Sequence, residues 1–313
     1  MIIKETANIK NKKFISVSEA FAMSSVDGPG IRVIVFFQGC FINCAWCHSP
    51  HSKPSCSPLL FYEQSCSICM RCQTCKQNVH VFKDGKHILH REFCLQCGKC
   101  IDECPNSSVY KESGTLKLPT KKVTAQSLLL QLLPHISLCD GITLSGGEAL
   151  LQDDTTAFLR LCKDKGIHTC VETSGLLESD CYAKALPFVD VWLFGLRVLT
   201  NNNSDFHTKK LIPNAQLIKN ASKTIIPVIP LIPGVMDRDE VLAEMLLVLN
   251  VIDSDEIQLN PWNIFYDVYY KALGIETTFL KPVDKAIKQC EAKVRKFFKG
   301  KGYKLTNRKE DKK

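Results

Sequence analysis

Seventeen cysteines, twelve of them between Cys40 and Cys104, constrain this 313-residue chain more than any other feature. Eleven of those twelve fall in runs with two or three residues between neighbours. A disulfide framework suits a small exported domain, but Met1 to Lys13 is polar and lysine-rich, without the apolar core of an export signal. No stretch approaches the roughly 20 apolar residues that span a bilayer. A cytoplasmic protein with no membrane partner is expected, and there thiols at these intervals read as metal ligands.

Cys40, Cys44 and Cys47 lie on Cys40-Phe-Ile-Asn-Cys44-Ala-Trp-Cys47, directly after an expected strand at Ile31 to Phe37. Three thiolates on one short loop can hold three irons of a [4Fe–4S] cube and leave the fourth iron open to a ligand. On these residues alone a zinc ion completed by His48 is the alternative. Downstream, Cys94-x2-Cys97-x2-Cys100-x3-Cys104-Pro105 is the bacterial ferredoxin run, preceded by Cys66, Cys69, Cys72 and Cys75, each two residues from the next. In two-cluster ferredoxins the fourth cysteine of each run serves the other cluster. The expected sets are therefore Cys66, Cys69, Cys72 with Cys104, and Cys94, Cys97, Cys100 with Cys75. The first run departs from the pattern: Cys75 comes one residue early and Lys76 replaces proline. A zinc ribbon would explain paired C-x2-C but not two groups of four closed by Cys-Pro. Cys139, Cys162, Cys170, Cys181 and Cys290 lack ligand spacing and read as free thiols, while Cys56, between the runs, stays open.

The rest of the chain sets the fold. After the Asp27-Gly-Pro-Gly30 turn and its strand, residues 52 to 112 lack apolar periodicity, so metal is expected to hold them. From about residue 120, helical runs at Ala125–Leu133, Thr155–Lys165, Asp239–Val251 and Lys285–Lys299 alternate with apolar strands. Those strands are expected at Gly141–Leu144, His168–Val171, Val189–Leu193, Thr224–Ile229 and Glu256–Leu259. Six strands with intervening helices predict an α/β fold, a partial, open (β/α)6 barrel of TIM type on residues 1–51 and 113–313. Residues 52–112 would be an inserted ferredoxin-like domain with two [4Fe–4S] clusters. The aromatic stretch Phe265, Tyr266, Tyr269 and Tyr270 reads first as core and second as the wall of a substrate groove.

Two further motifs fall at strand ends, where such barrels carry chemistry. Ser145-Gly146-Gly147-Glu148 offers glycines that admit close approach and a carboxylate able to accept from an ammonium. Cys170-Val-Glu172-Thr173-Ser174-Gly175 ends the next strand, and helix capping is the bland reading of Thr173 and Ser174.

Taken together, Asp27-Gly-Pro-Gly-Ile-Arg32, Phe37-Gln-Gly-Cys40 and Trp46-Cys47-His48 resemble the glycyl-radical-enzyme activating family of the radical S-adenosylmethionine (SAM) superfamily. Pyruvate formate-lyase activase is its best-known member, and the resemblance runs over about residues 20 to 305. It implies SAM as cofactor, chelated by the open iron of the cluster on Cys40, Cys44 and Cys47. It places Trp46 beside the adenine, with Cys47 and His48 flanking the cofactor. Ser145, Gly146, Gly147 and Glu148 would meet the methionine part, and Glu172, Thr173 and Ser174 correspond to the family's D/E-T-x-G segment. At the fourth strand end the family has Asp-x-Lys where this chain has Gly195-Leu196-Arg197. Arg197 keeps the positive charge and can bind a carboxylate bidentately, whereas Gly195 lacks the acid. The histidine that some activases have after the turn corresponding to Pro233-Gly234 is missing too, since none follows His207.

The resemblance further implies reductive cleavage of SAM to a 5′-deoxyadenosyl radical, which takes a hydrogen from a glycine of a partner glycyl radical enzyme. Flavodoxin or ferredoxin would be the reductant, the two accessory clusters an electron relay or store, and the protein a monomer. Two other readings stand beside it. One is a radical SAM enzyme acting on a small molecule or RNA, supported only by the net charge of +8. That excess is dispersed, with Lys309 to Lys313 supplying part, and does not single out nucleic acid. The other is a non-catalytic electron carrier on a decayed barrel, against which the intact Cys40, Cys44, Cys47 and Glu148 argue.

Overall fold

The computed structural model describes residues 3–4, 13–109, 114–197, 204–277 and 279–307. The expected segment boundary at 112/113, the lysine-rich tail and part of the N-terminal stretch lie outside them. Strand β1 (Ile15–Ser24) pairs antiparallel with β2 (Arg32–Phe37) across the Asp27–Arg32 turn. The cysteine-rich segment follows. In it β3 (Leu60–Phe61) pairs with a later strand and β4 (His80–Lys83) with β5 (Lys86–Leu89), while short helices α1 (Lys99–Glu103) and α2 (Pro105–Val109) flank Cys104. Strand β6 (Leu116–Lys117) is the partner of β3, and β7 (Lys121–Val123) returns to the main sheet beside β1.

Helix α3 (Ala125–Ile136) then leads into β8 (Gly141–Gly146), and α4 (Thr155–Asp164) into β9 (Thr169–Thr173). Next come α5 (Ser179–Ala185) with β10 (Val191–Gly195), and α6 (Ser204–Asn220) with β11 (Thr224–Pro230). Helix α7 (Asp239–Ile252) precedes β12 (Glu256–Asn260), and α8 (Val268–Leu273) and α9 (Asp284–Lys299) precede β13 (Lys304–Asn307). The sheet order is β13-β12-β11-β10-β9-β8-β2-β1-β7, in which β2 and β8 to β13 run parallel. Among the described residues β7 and β13 are free edges, so the sheet does not close.

Helix-separated parallel strands are buried on both faces, which is why β10 reads Val-Trp-Leu-Phe-Gly without alternation. Helix α3 starts where Thr124 Oγ1 accepts from the Ser127 amide at 3.2 Å, and it buries Ala125, Leu128, Leu129, Leu132 and Ile136. The basic helix α9 buries only Cys290, Val294 and Phe298, spaced by four, and leaves its lysines in water. All six expected strands are present. Three others, β1, β7 and β13, join the same sheet without having been expected.

The cysteine-rich segment has a small core of its own, Leu59, Phe61, Cys72, Val79, Cys100, Cys104 and Leu116, in which three of seven members are thiols. Arg91 donates to the Leu59 carbonyl within the segment at 3.0 Å and to the Ala272 carbonyl of α8 at 2.8 Å, which fastens the segment to that helix. Leu60 packs there against Ala272 and Leu273 of α8.

Candidate active site

Strand β2 ends at Phe37, and the chain turns at Gly39, whose φ of +100° suits glycine, into the loop of Cys40, Cys44 and Cys47. Backbone bonds from the Gly39 amide to the Ser52 carbonyl (2.7 Å) and from the Cys40 amide to the Lys53 carbonyl (3.0 Å) close this loop on itself. Gln38, almost fully buried, spans it by donating to the carbonyls of His51 and Pro54, each at 2.8 Å. Gln152 holds its root, donating to the Ser16 and Gln38 carbonyls at 2.9 Å and accepting from the Ser16 amide at 2.7 Å. Lys53 reaches Asn43 Oδ1 at 3.0 Å and the Cys44 carbonyl at 3.2 Å.

Gly146 and Gly147 at the end of β8 press against the same root. A Cβ on Gly146, at φ +113°, would collide with the Phe37 backbone, and one on Gly147 with the Gly39 carbonyl. These glycines therefore let two strand ends meet, in addition to leaving backbone open to the cavity. Arg32 is fully buried beneath the preceding turn, bonded to Thr143 Oγ1 (2.7 Å), the Ile142 carbonyl (2.6 Å) and the Pro29 carbonyl (3.0 Å).

A cavity of about 270 Å³ opens at the C-terminal ends of the parallel strands. Cys40, Cys44, Cys47, Trp46 and His48 line it from the loop, and Ser145, Gly146, Gly147, Glu172, Gly195 and Arg197 from β8, β9 and β10. Burial pushes the Cys40 thiol up to about 11 and raises Cys44 as well, so both need a positive partner to ionise. Arg197 supplies one charge. Burial disfavours its guanidinium, but Glu172, Cys44, Glu148 and Cys40 outweigh that and hold it above its ordinary value. Three thiols with no fourth cysteine on the cavity wall, among the described residues, suit a [4Fe–4S] cluster that leaves one iron open.

Glu148, Thr173, Ser174 and Leu196 are not on that wall. Glu148 is buried behind it and accepts from Thr173 Oγ1 (2.9 Å), the Ser174 amide (2.9 Å) and Ser174 Oγ (2.6 Å). Burial raises its pKa, against those same hydrogen bonds. The two strand-end motifs thus bond each other. Glu172 faces the cavity, accepting from Ser145 Oγ at 2.7 Å with Arg197 3.6 Å from its other oxygen. Sequence reasoning missed Asp27, Lys53, Asn260 and Trp262 as lining residues, and gave Tyr266 a place on a groove wall only as its second reading. Asp27, which opens the turn motif, and Tyr266, in the aromatic stretch, carried a signal; Tyr270 is buried as well, while Phe265 is exposed.

In the cysteine-rich segment, Cys66, Cys69, Cys72 and Cys104 line one small hollow together with Phe82 and His87. Burial and then the charges of Cys94, Cys75, Cys72 and Cys97 push Cys100 up to about 12. The first set of four thiols thus shares one hollow, and Cys75, Cys94 and Cys97 lie near enough to Cys100 to act on it electrostatically. Cys162, Cys170 and Cys290 are buried, Cys139 and Cys181 partly so. Cys56 is exposed on a groove of about 1160 Å³ that Cys97 also lines.

No family model matches the chain. The isethionate sulfite-lyase activating enzyme of Desulfovibrio desulfuricans is 30% identical over 269 residues, covering 80% of this chain and 83% of that enzyme. The trans-4-hydroxy-L-proline dehydratase activating enzyme of Clostridioides difficile is 29% identical over 260 residues, covering 78% and 84%. The pyruvate formate-lyase 2-activating enzyme of Escherichia coli is 28% identical over 258 residues, covering 79% and 77%. Their targets differ while the activating role is common to all three, and with Cys40, Cys44, Cys47 and Arg197 on one cavity the chain belongs to the glycyl-radical-enzyme activating family of the radical SAM superfamily.

Proposed function

We propose that this chain installs a glycyl radical on a partner enzyme, using SAM bound in the cavity that Cys40, Cys44, Cys47 and Arg197 share. The observation that carries the reading is that meeting of three thiols and one guanidinium at the C-terminal ends of parallel strands. When bound, a [4Fe–4S] cluster with an open iron supplies the electron that splits SAM into methionine and a 5′-deoxyadenosyl radical. Cys40, Cys44 and Cys47 would hold it as thiolates. Arg197 gives the methionine carboxylate a charge-assisted donor, and Glu172, fixed by Ser145, gives the ammonium an acceptor. The backbone of Gly146 and Gly147 lies open to the same end of the cofactor. Glu148, Thr173 and Ser174 act behind the wall, where their mutual bonds tie the chain after β8 to the end of β9. Trp46, with His48 beside it, forms the wall for the adenine. That chemistry would leave a carbon radical on a partner glycine presented at the mouth of the cavity.

The two groups of four thiols in residues 52–112 suit two further [4Fe–4S] clusters, one on Cys66, Cys69, Cys72 and Cys104, the other on Cys94, Cys97, Cys100 and Cys75. That makes three clusters, an electron relay within a ferredoxin-like insert, and flavodoxin or ferredoxin as donor. We place the protein in the cytoplasm as a monomer. Anaerobic incubation with SAM, reductant and a glycyl radical enzyme from the same genome is the test. A glycine-centred doublet on that enzyme in electron paramagnetic resonance is expected. SAM cleavage without a radical on any such partner would favour a small-molecule or RNA substrate instead.

A further inference from the structure

The β4–β5 hairpin between the two cysteine runs carries two buried histidines that the proposed chemistry does not use. His80 and His87 are 5% and 8% exposed. The His87 ring is wedged between Phe82, stacked at 4.3 Å and 17°, and Phe61, edge-on at 4.7 Å, so its plane is fixed. Its Nδ1 lies 3.4 Å from Cys66 Sγ, and its Nε2 lies 3.0 Å from His80 Nδ1. Nε2 is also 3.8 Å from Cys72 Sγ. Both sulfurs belong to the set Cys66, Cys69, Cys72 and Cys104.

Two imidazole nitrogens 3.0 Å apart hold one proton between them, and the rest of the pair decides whose it is. His80 Nε2 is buried with no hydrogen-bond partner among the described residues. Were its proton there, a buried N–H would lack an acceptor, which is rarer and costs more than a bare acceptor nitrogen. The His80 proton is therefore on Nδ1, donated to His87 Nε2. The His87 proton is then on Nδ1, aimed at Cys66.

We propose that His87 donates a hydrogen bond to the Cys66 sulfur of the accessory cluster, that His80 fixes the tautomer which allows it, and that the bond raises that cluster's reduction potential. The inference rests on the reading that Cys66, Cys69, Cys72 and Cys104 hold a cluster. Reduction adds one electron to the cluster and moves no proton. The added negative charge spreads onto the cysteine sulfurs, and a donor there stabilises the reduced form more than the oxidised one. His87 is a positioning and tuning residue, and His80 acts only through it. The potential is thereby set by the hairpin, so an electron arriving from outside rests on this cluster more readily than the ligands alone would allow.

The test is an anaerobic potentiometric titration followed by electron paramagnetic resonance. It uses the full chain with Cys40, Cys44 and Cys47 changed to Ala, so that only accessory clusters report. His87→Phe is expected to lower one of the two potentials by about 59 mV, the equivalent of a tenfold change in the ratio of reduced to oxidised cluster for one electron. His80→Phe should move the same cluster in the same direction. His87→Gln, which keeps an N–H, should restore part of the shift. Both clusters loaded, with neither potential moved by His87→Phe and His80→Phe, overturns the tuning and leaves the cluster reading standing. Should His87→Phe fail to assemble, His80→Phe, which leaves every ligand and His87 in place, decides. Iron content unchanged when Cys66, Cys69 and Cys72 are all changed to Ala overturns the cluster reading and the proposal with it. The same holds for stoichiometric zinc lost in His80→Phe, because Cys72, His80 and His87 offer ligand atoms within 4.8 Å of one another.

Discussion

Arg197 stands where the family resemblance implies a lysine, and its neighbours show what the exchange does. Its guanidinium is 3.6 Å from Glu172 Oε1 and about a quarter exposed, at 28%. A hydrogen bond to a charged group is worth about 1.5–3 kcal/mol, and partial solvent screening brings this to about 1.4 kcal/mol. Arg197→Ala should therefore weaken SAM binding about tenfold in anaerobic equilibrium dialysis, with Arg197→Lys between. Unchanged affinity would leave Arg197 as a partner of Glu172 only. His51 is a second residue with a measurable signature. It stacks on Tyr269 at 3.6 Å behind the cluster loop, its Nδ1 has no partner among the described residues, and burial pushes its pKa down to about 3. The unfolded chain, with an ordinary histidine pKa near 6.5, binds the proton that the folded one refuses, so stability falls as pH drops from about 6.5 toward 3. At pH 5 this one group costs about 2 kcal/mol. His51→Phe keeps the stack and should lose less melting temperature than the wild type between pH 7 and pH 5. An identical loss in both would remove His51 as the cause.

At the scale of elements, the junction of β2 with β8 decides whether the catalytic loop can form. The sequence pattern marks both strands and both motifs, yet each motif is read there only as a ligand contact or as local turn and cap chemistry, never as a partner of the other. Only the parallel pairing of β2 with β8, and of β8 with β9, reveals that Gly146 packs on Phe37 and that Glu148 binds Thr173 and Ser174. Those contacts join residues more than twenty apart, which local periodicity does not encode. Strand β13 escaped for another reason: Lys304-Leu-Thr-Asn is short and polar, and becomes a strand by pairing with β12 at the sheet edge. Gly146→Ala tests the junction. The strained backbone alone costs about 1–3 kcal/mol, with the collision at Phe37 added. The variant should lose about four irons, those of the catalytic cluster, while keeping the accessory ones. Full iron content would show that the junction tolerates a Cβ.

For the whole molecule, cysteine spacing and helix–strand alternation were enough to read an open, mostly parallel sheet with a cysteine-rich segment between its first two parallel strands. No helix among the described residues is long and apolar enough to cross a membrane. The departures at Gly195 and after Pro233-Gly234 were legible as departures, but the pairing of Arg197 with Glu172 was not, because Glu172 lies on a neighbouring strand. The measurement that bears most directly on the central claim is anaerobic. The clusters are reconstituted, dithionite and SAM are added, and 5′-deoxyadenosine is quantified by mass spectrometry in the wild type and in Cys44→Ala. The account predicts product from the wild type and none from Cys44→Ala; no product from wild-type protein with its clusters loaded, or equal product from both, would contradict it.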